Sequence, residues 1–179
     1  MGDDLGTSGL RLEREGPIAW CTIDRPEARN ALTPAMYWGI KQAVRLVNAD
    51  ADLAALIITG TGDVFSPGGD LGGRSREDEA LPEGLGQEVL PFLAVRDSRA
   101  PVIAAVNGIC QAGGLLIAML ADIAVVSDRA TFRARQAASI EKIAAGAVEK
   151  GEHIKAKNVN PLDVEFLGYA KEDLSTLAI

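Results

Sequence analysis

The sequence predicts an α/β protein in which repeated β/α units lie over one sheet. Residues 53–59 and 102–106 are continuous apolar runs, which are typical of strands buried on both faces. Before the first of these runs, and after a hairpin-like segment, residues 40–47 carry apolar side chains at helical spacing. The chain is also rich in glycine, with 19 residues, and poor in aromatics, at 4%, as globular α/β domains often are.

Composition and charge exclude several classes of function. The 179 residues suffice for one domain with a real core, and the net charge of −7 gives no electrostatic support to nucleic-acid binding. Cys21 and Cys110 lie in apolar runs and are expected to be buried thiols. His153 lies far from other ligand-like residues, so no metal site is expected. Without a membrane-length apolar run or a secretory signal pattern, a cytoplasmic protein is expected.

The first elements in the chain are a tail, a hairpin and a helix. Residues 1–9 are polar and Gly-rich, which predicts a flexible tail. Residues 10–15 alternate apolar and charged side chains and are predicted to pair with residues 18–23 as a hairpin. Thr33 is then predicted to cap a helix whose first residue is Pro34.

Residues 60–73 hold six glycines and one proline, which predicts no regular element. Such a backbone suits close approach to a ligand, and a flexible turn is the alternative. Val64, Phe65 and Leu71 are expected to anchor this loop through apolar contacts.

The chain divides into three predicted parts: a tail over 1–9, a core over 10–135, and a divergent, mainly helical segment over 136–179. Within the core, residues 74–86 are polar and expected to be mobile. Residues 87–96 are predicted to form a helix with Pro91 in its first turn.

The stretch from Pro101 to Asp128 contains the strongest site signal. Asn107 and Gly108 end its first strand, and Gly113 and Gly114 then open a predicted helix that is followed by another strand. Glycines at a helix start leave backbone N–H groups accessible, and the helix dipole adds positive potential there. The pattern therefore predicts a site for an anion, or for an oxygen that becomes one.

Three motifs in this order resemble the enoyl-CoA hydratase/isomerase (crotonase) superfamily over about residues 8–134. They are DRPEARNAL at 24–32, FSPGGDL at 65–71, and PVIAAVNG at 101–108 followed by Gly113-Gly114. The resemblance implies a crotonase-like spiral of ββα units that binds an acyl-CoA thioester and assembles as a homotrimer or hexamer. It implies no separate cofactor, because CoA enters as part of the substrate.

The resemblance also implies an oxyanion hole formed by the backbone N–H groups of Ser66 and Gly113. Preorganised amides of this kind stabilise the negative charge that develops on a thioester oxygen. The residues expected to line the substrate path are Ala28, Ala31, Gly68, Gly69, Asp70, Leu71 and Leu116. For Asp70, a role as a loop tie or helix cap is the alternative.

The sequence departs from the family at both of its hydratase glutamates. Their positions correspond to Leu116 and to the pair Arg135 and Gln136. Leucine cannot transfer a proton and glutamine is not a base, so ordinary hydratase chemistry lacks its acid and base. Beyond Arg135 the motifs no longer align, which indicates a truncated or divergent C-terminal part.

Two functions are compatible with these residues. One is a lyase or isomerase of fatty acid metabolism that acts on acyl-CoA, with an acid or base from Asp70, Glu88 or the 74–88 segment. Its reaction would be isomerisation, thioester hydrolysis or hydration. The other is a non-catalytic acyl-CoA-binding or scaffolding protein. A Rossmann-type nucleotide site is disfavoured, because residues 60–69 lack the required glycine order at a strand-to-helix junction.

Overall fold

A computed structural model describes residues 4–72 and 90–133. The described residues as far as Thr131 belong to one compact unit, while Phe132 and Arg133 belong to a second. The elements in chain order are β1 (Leu10–Glu15), β2 (Ile18–Ile23), a 3-10 turn (Pro26–Ala28), α1 (Pro34–Ala49), β3 (Ala55–Gly60), β4 (Val64–Ser66), α2 (Phe92–Arg96), β5 (Val102–Val106), β6 (Ile109–Gln111), α3 (Ala112–Leu120), β7 (Ile123–Val126) and β8 (Thr131–Arg133).

A five-stranded sheet in the order β1-β2-β3-β5-β7 forms the centre of the first unit. Strands β1 and β2 pair antiparallel as the predicted hairpin, and every later neighbour in this sheet is parallel. Parallel neighbours require crossover connections, which α1 supplies between β2 and β3. The predicted α/β class is therefore confirmed.

Helix α1 begins where the sequence predicts and buries the predicted face. The Thr33 hydroxyl accepts a hydrogen bond from the Met36 amide at 3.2 Å, and Pro34 is the first helical residue. The side chains of Ile40, Ala43, Val44 and Val47 are almost completely buried. This face packs on β1, β2 and β3, so the helix covers one side of the sheet.

A second, smaller pairing joins β4 to β6 in parallel, with Ser66 opposite Cys110. The expectation of no regular element over 60–73 is thus wrong for Val64–Ser66. Val64 and Phe65 are buried as expected. The glycine-rich sequence does not predict the strand, because its backbone hydrogen-bond partners come from β6, which is distant in sequence. The expectation that Leu71 anchors the loop is wrong, because its side chain is 97% exposed.

The helix predicted over 87–96 is shorter in the structure. Helix α2 covers Phe92–Arg96, and Pro91 is its N-cap residue instead of a residue of its first turn. Since proline fixes its own φ and lacks an N–H, it suits the boundary of the helix. Residues 87–89, including Glu88, and the segments 74–86 and 136–179 lie outside the described residues.

Three further regions bear on the sequence expectations. Leu5, within the expected tail, is 3% exposed, and Asp24 donates its amide to the Gly9 carbonyl at 2.9 Å. Strand β7 forms as predicted, and all four of its residues are exposed. Among the described residues, no helix is long and apolar enough to cross a membrane.

Candidate functional site

Two loops that are far apart in sequence run side by side through backbone hydrogen bonds. The Leu32 amide donates to the Gly68 carbonyl at 2.8 Å, and the Asp70 amide donates to the Leu32 carbonyl at 2.9 Å. We call residues 25–32 the entry loop and residues 66–72 the glycine loop. Ala28 and Ala31, both half-buried, belong to the entry loop, and their place on the substrate path stays a prediction.

Asn30 connects the entry loop to the chain around β4. Its side-chain amide donates to the Thr61 carbonyl at 3.0 Å and to the Val64 carbonyl at 2.7 Å, while its Oδ1 accepts from the Arg25 amide at 3.0 Å. The residue is completely buried and has a φ of 60°, a conformation that asparagine tolerates better than most residues. Sequence reasoning included Asn30 in a motif but gave it no role.

The Ser66 side chain has a structural use. It is completely buried, and its hydroxyl donates to the Asn30 carbonyl at 2.9 Å while accepting from the Gly68 amide at 3.1 Å. Because a serine hydroxyl has a single hydrogen to donate, this oxygen is not presented as a nucleophile. The predicted role of Ser66 therefore concerns its backbone amide, at the end of β4, and not its side chain.

The glycine loop packs directly against the first turn of α3. Gly68 has a φ of 101°, and a Cβ added there would lie 2.7 Å from the Ala112 Cβ and 2.9 Å from the Gly113 nitrogen. A Cβ added to Gly114 would lie 2.5 Å from the Ser66 carbonyl oxygen. The structure therefore brings the chain around Ser66 and the start of α3 together, which the family resemblance implies.

Gly113 is the second residue of α3, because the helix begins one residue earlier than the sequence predicts. The helix begins at Ala112, with Gln111 as its N-cap residue. Amides in the first turn of a helix have no acceptor within the helix, and they lie at the positive end of its dipole. No acidic side chain occupies this first turn. The local field consequently favours a ligand oxygen that carries negative charge.

Tyr37 is a site residue that sequence reasoning missed. A Cβ added to Gly113 would overlap the Tyr37 hydroxyl oxygen, and one added to Gly69 would lie 3.8 Å from it. The ring meets Phe92 edge to face, with centroids 5.9 Å apart. Burial raises the pKa of the Tyr37 hydroxyl to about 12. No local pattern signals this contact, since it joins residues more than seventy positions apart.

Asp70 is held by two partners. One carboxylate oxygen accepts from the Arg25 guanidinium at 2.6 Å, and the other accepts from the Gly72 amide at 2.8 Å. The Arg25 hydrogen bond is the main cause that holds the pKa of Asp70 below its usual value. A carboxylate kept ionised by these partners fits the loop tie better than a proton donor.

The other expected substrate-path residues differ in their surroundings. Leu116, on α3, and Asp70 are half-buried, Gly68 is buried, and Gly69 and Leu71 are exposed. Gln136 lies outside the described residues. Within residues 4–72 and 90–133, no three His, Cys, Asp or Glu side chains form a group that could hold a metal ion.

The described fold can now be compared with those of known protein families. The family model for enoyl-CoA hydratase/isomerase matches residues 13–148, which is more than half of the chain. The chain belongs to the enoyl-CoA hydratase/isomerase family and has the crotonase fold. The match extends beyond residue 134, where the recognisable motifs end.

Individual relatives agree with this assignment. The chain is 41% identical to a crotonyl-CoA hydratase of Syntrophomonas wolfei over 132 residues, covering 72% of this chain and 50% of that protein. It is 38% identical to a carnitinyl-CoA dehydratase of Salmonella arizonae, covering 70% and 48%. An enoyl-CoA hydratase structure from Polaromonas sp. JS666 superposes with a TM-score of 0.62 at 30% identity, covering 73% and 52%. The chain thus spans about half the length of these proteins.

Proposed function

We propose that this chain binds the thioester of an acyl-CoA and stabilises negative charge on its carbonyl oxygen. The backbone amides of Ser66 and Gly113 would supply the hydrogen bonds. The observation that carries the proposal is the packing of the glycine loop against the first turn of α3, with Gly68 next to the Gly113 nitrogen.

The chemistry suits such a junction. Removing a proton next to a thioester carbonyl, or adding a nucleophile to it, places negative charge on the oxygen. Fixed backbone donors need no reorganisation as this charge forms, and one such donor typically changes the rate about 100- to 1000-fold. The crotonyl-CoA hydratase and the carnitinyl-CoA dehydratase described above are named for reactions on CoA thioesters, which supports the same substrate class here.

Leu116 restricts which reactions are plausible. The family resemblance assigns this position, three residues after Gly113, to a hydratase glutamate. The leucine side chain has no group that donates or accepts a proton. Asp70 is tied to Arg25 and Gly72, so it does not replace that acid. We propose isomerisation, thioester hydrolysis, or a hydration whose acid or base comes from another residue, in preference to hydration by two glutamates.

The leucine at position 116 also favours a second candidate, a non-catalytic acyl-CoA-binding protein. Such a protein would keep the amide site and would need no acid or base. The homotrimer or hexamer, the cytoplasmic location and a role in fatty acid metabolism remain predictions from the resemblance and the sequence.

The test removes one N–H without adding atoms. Gly113 is replaced by glycolic acid through nonsense suppression, which converts the amide to an ester. A proline there would add a Cβ that overlaps the Tyr37 hydroxyl, so it is a poorer probe. Glycolic acid at Gly62, an exposed position in the turn before β4, is the matched control. Binding of butyryl-CoA is measured by calorimetry, and turnover of crotonyl-CoA by loss of the enoyl thioester absorbance.

The outcomes separate the candidates. Turnover by the unmodified protein that falls about 100-fold or more in the Gly113 ester, with the Gly62 ester unaffected, supports the enzyme. Tight binding without turnover of crotonyl-CoA removes the hydration version, and if thioester hydrolysis and double-bond isomerisation are absent too, it supports the binding protein. No measurable binding of butyryl-CoA together with no turnover of crotonyl-CoA contradicts both candidates.

A further inference from the structure

Tyr37 places a hydroxyl at the junction where the two proposed amide donors lie. Its oxygen touches Gly113 in the first turn of α3, and Gly69 of the glycine loop is next to it. Gly113 leaves room for this contact, because any side chain there would overlap the hydroxyl oxygen. The phenol therefore borders both walls of the proposed oxyanion site.

The position of this hydroxyl is fixed from the N-terminus of α1. Thr33 caps the helix, and the Tyr37 amide donates to the Thr33 carbonyl at 3.0 Å, which sets the first turn. The ring packs edge to face on Phe92 of α2. These contacts hold the aromatic ring by packing, so the hydroxyl needs no hydrogen bond to keep its place.

The hydroxyl is also available as a donor. The Tyr37 residue is 8% exposed. Its oxygen lies against Gly113 and near Gly69, at the surface that a ligand oxygen between the two loops would meet. Burial raises the pKa of the phenol to about 12, so it keeps its proton at neutral pH. A protonated phenol can donate one hydrogen bond, so a ligand oxygen at this position would meet a donor.

We propose that Tyr37 donates a third hydrogen bond to the thioester oxygen, beside the amides of Ser66 and Gly113. This inference rests on the proposed function, since it names a further group at the same site. The phenol transfers no proton in this role. It stabilises the oxygen as charge develops, and it gives this chain a side-chain donor in addition to backbone ones.

The test measures the hydrogen bonding of a bound thioester directly. Butyryl-CoA, whose chain is saturated and cannot be hydrated, is prepared with and without ¹³C at the carbonyl. Isotope-edited infrared difference spectra then give the carbonyl stretch in the complex, and calorimetry gives its Kd. Hydrogen bonds to a carbonyl oxygen lower its stretching frequency.

Tyr37→Phe keeps the ring against Phe92 and removes the hydroxyl. We expect the carbonyl band to move to higher frequency and Kd to rise about five- to tenfold, which is the scale of one hydrogen bond. Replacing Tyr37 by 3-fluorotyrosine, a stronger donor, should move the band the opposite way. Trp38→Phe is the matched control, because that ring contacts Lys41 and Arg45, and it should leave the band unchanged.

Three results would contradict the inference. An unchanged band and Kd in Tyr37→Phe mean that the hydroxyl only packs, and the proposed function survives. If Tyr37→Phe does not fold, an unchanged band with 3-fluorotyrosine overturns the inference in the same way. Failure of the unmodified protein to bind butyryl-CoA overturns the proposed function together with this inference.

Discussion

Arg25 and Asp70 form an ion pair across 45 positions of sequence, with their nearest nitrogen and oxygen 2.6 Å apart. The same guanidinium nitrogen donates to the Ala31 carbonyl at 3.2 Å. The Arg25 side chain therefore bonds both to Ala31 within its own loop, the entry loop, and to Asp70 of the glycine loop. Both partners are largely shielded from water, with side chains 25% and 18% exposed, so salt and water screen this pair less than a typical surface ion pair.

The first prediction concerns the pH dependence of this pair. Asp70→Asn should lower the free energy of unfolding by about 1 kcal/mol at pH 7. Because the folded-state pKa of Asp70 is depressed, its contribution is present above the unfolded pKa and is lost as pH falls through the folded value. Urea unfolding at pH 7 and at pH 3 or lower should thus show a difference that shrinks in acid. In an Arg25→Gln background, where the carboxylate has lost its ion-pair partner, Asp70→Asn should show a smaller trend, and an equal trend would refute the assignment.

The second prediction concerns the close approach of Gly68 to α3. Gly68→Ala adds a methyl group into the Ala112 side chain and the Gly113 nitrogen, at a φ of 101°. Gly62→Ala places the same methyl at a φ of 74° with nothing within 4 Å. Gly62→Ala should cost about 1 to 2 kcal/mol of stability from the backbone alone. Gly68→Ala should cost more and should also weaken butyryl-CoA binding, and equal effects of the two changes in denaturant melts and calorimetry would contradict this view.

The third prediction concerns the buried amide of Asn30. Asn30→Ala leaves the Thr61 and Val64 carbonyls without its donors, and should cost about 2 to 4 kcal/mol in chemical denaturation. Asn48 is the control, since its Oδ1 accepts from Ser98, Arg99 and Ala100 but the residue is only half-buried. Water can replace a partner there, so Asn48→Ala should cost distinctly less. A larger loss at Asn48 would show that burial does not set the difference.

The fourth prediction concerns stability in alkali. Burial raises the pKa of the Cys21 and Cys110 thiols to about 12. Between about pH 9 and 12 the unfolded chain loses thiol protons that the folded chain keeps, so stability should fall by up to about 1.4 kcal/mol per pH unit for each thiol. Cys21→Ala should reduce this slope by about half of the thiol contribution, whatever its effect at pH 7. Iodoacetamide at pH 8 should label neither thiol until denaturant is added, and rapid labelling of the native chain would contradict their burial.

Local chemistry in the sequence was sufficient for several elements. Thr33 and Pro34 predict the start of α1, because an N-cap oxygen and a fixed φ act within one turn. The alternation in β1 likewise predicts its pairing with β2. These signals depend on neighbours a few residues away, which the sequence displays directly.

The sequence could not reveal features that depend on distant partners. Val64–Ser66 becomes a strand because β6 lies beside it, although glycines surround it in sequence. Apolarity alone predicts that Leu71 is buried, yet its side chain is exposed, while the residue before it, Asp70, is bonded to Arg25. The contact of Tyr37 with Gly113 arises from the packing of α1, α2 and α3 and has no local signature.

Leu32 bonds the glycine loop on both sides of Gly69, through the Gly68 carbonyl and the Asp70 amide. The backbone entropy of this loop is consequently lost when the protein folds and not when a ligand arrives. Association of an acyl-CoA at this loop should then follow a single exponential whose rate grows linearly with ligand concentration. A slow loop-ordering step would make that rate level off, and we do not expect one where the loop is already bonded on both sides of Gly69.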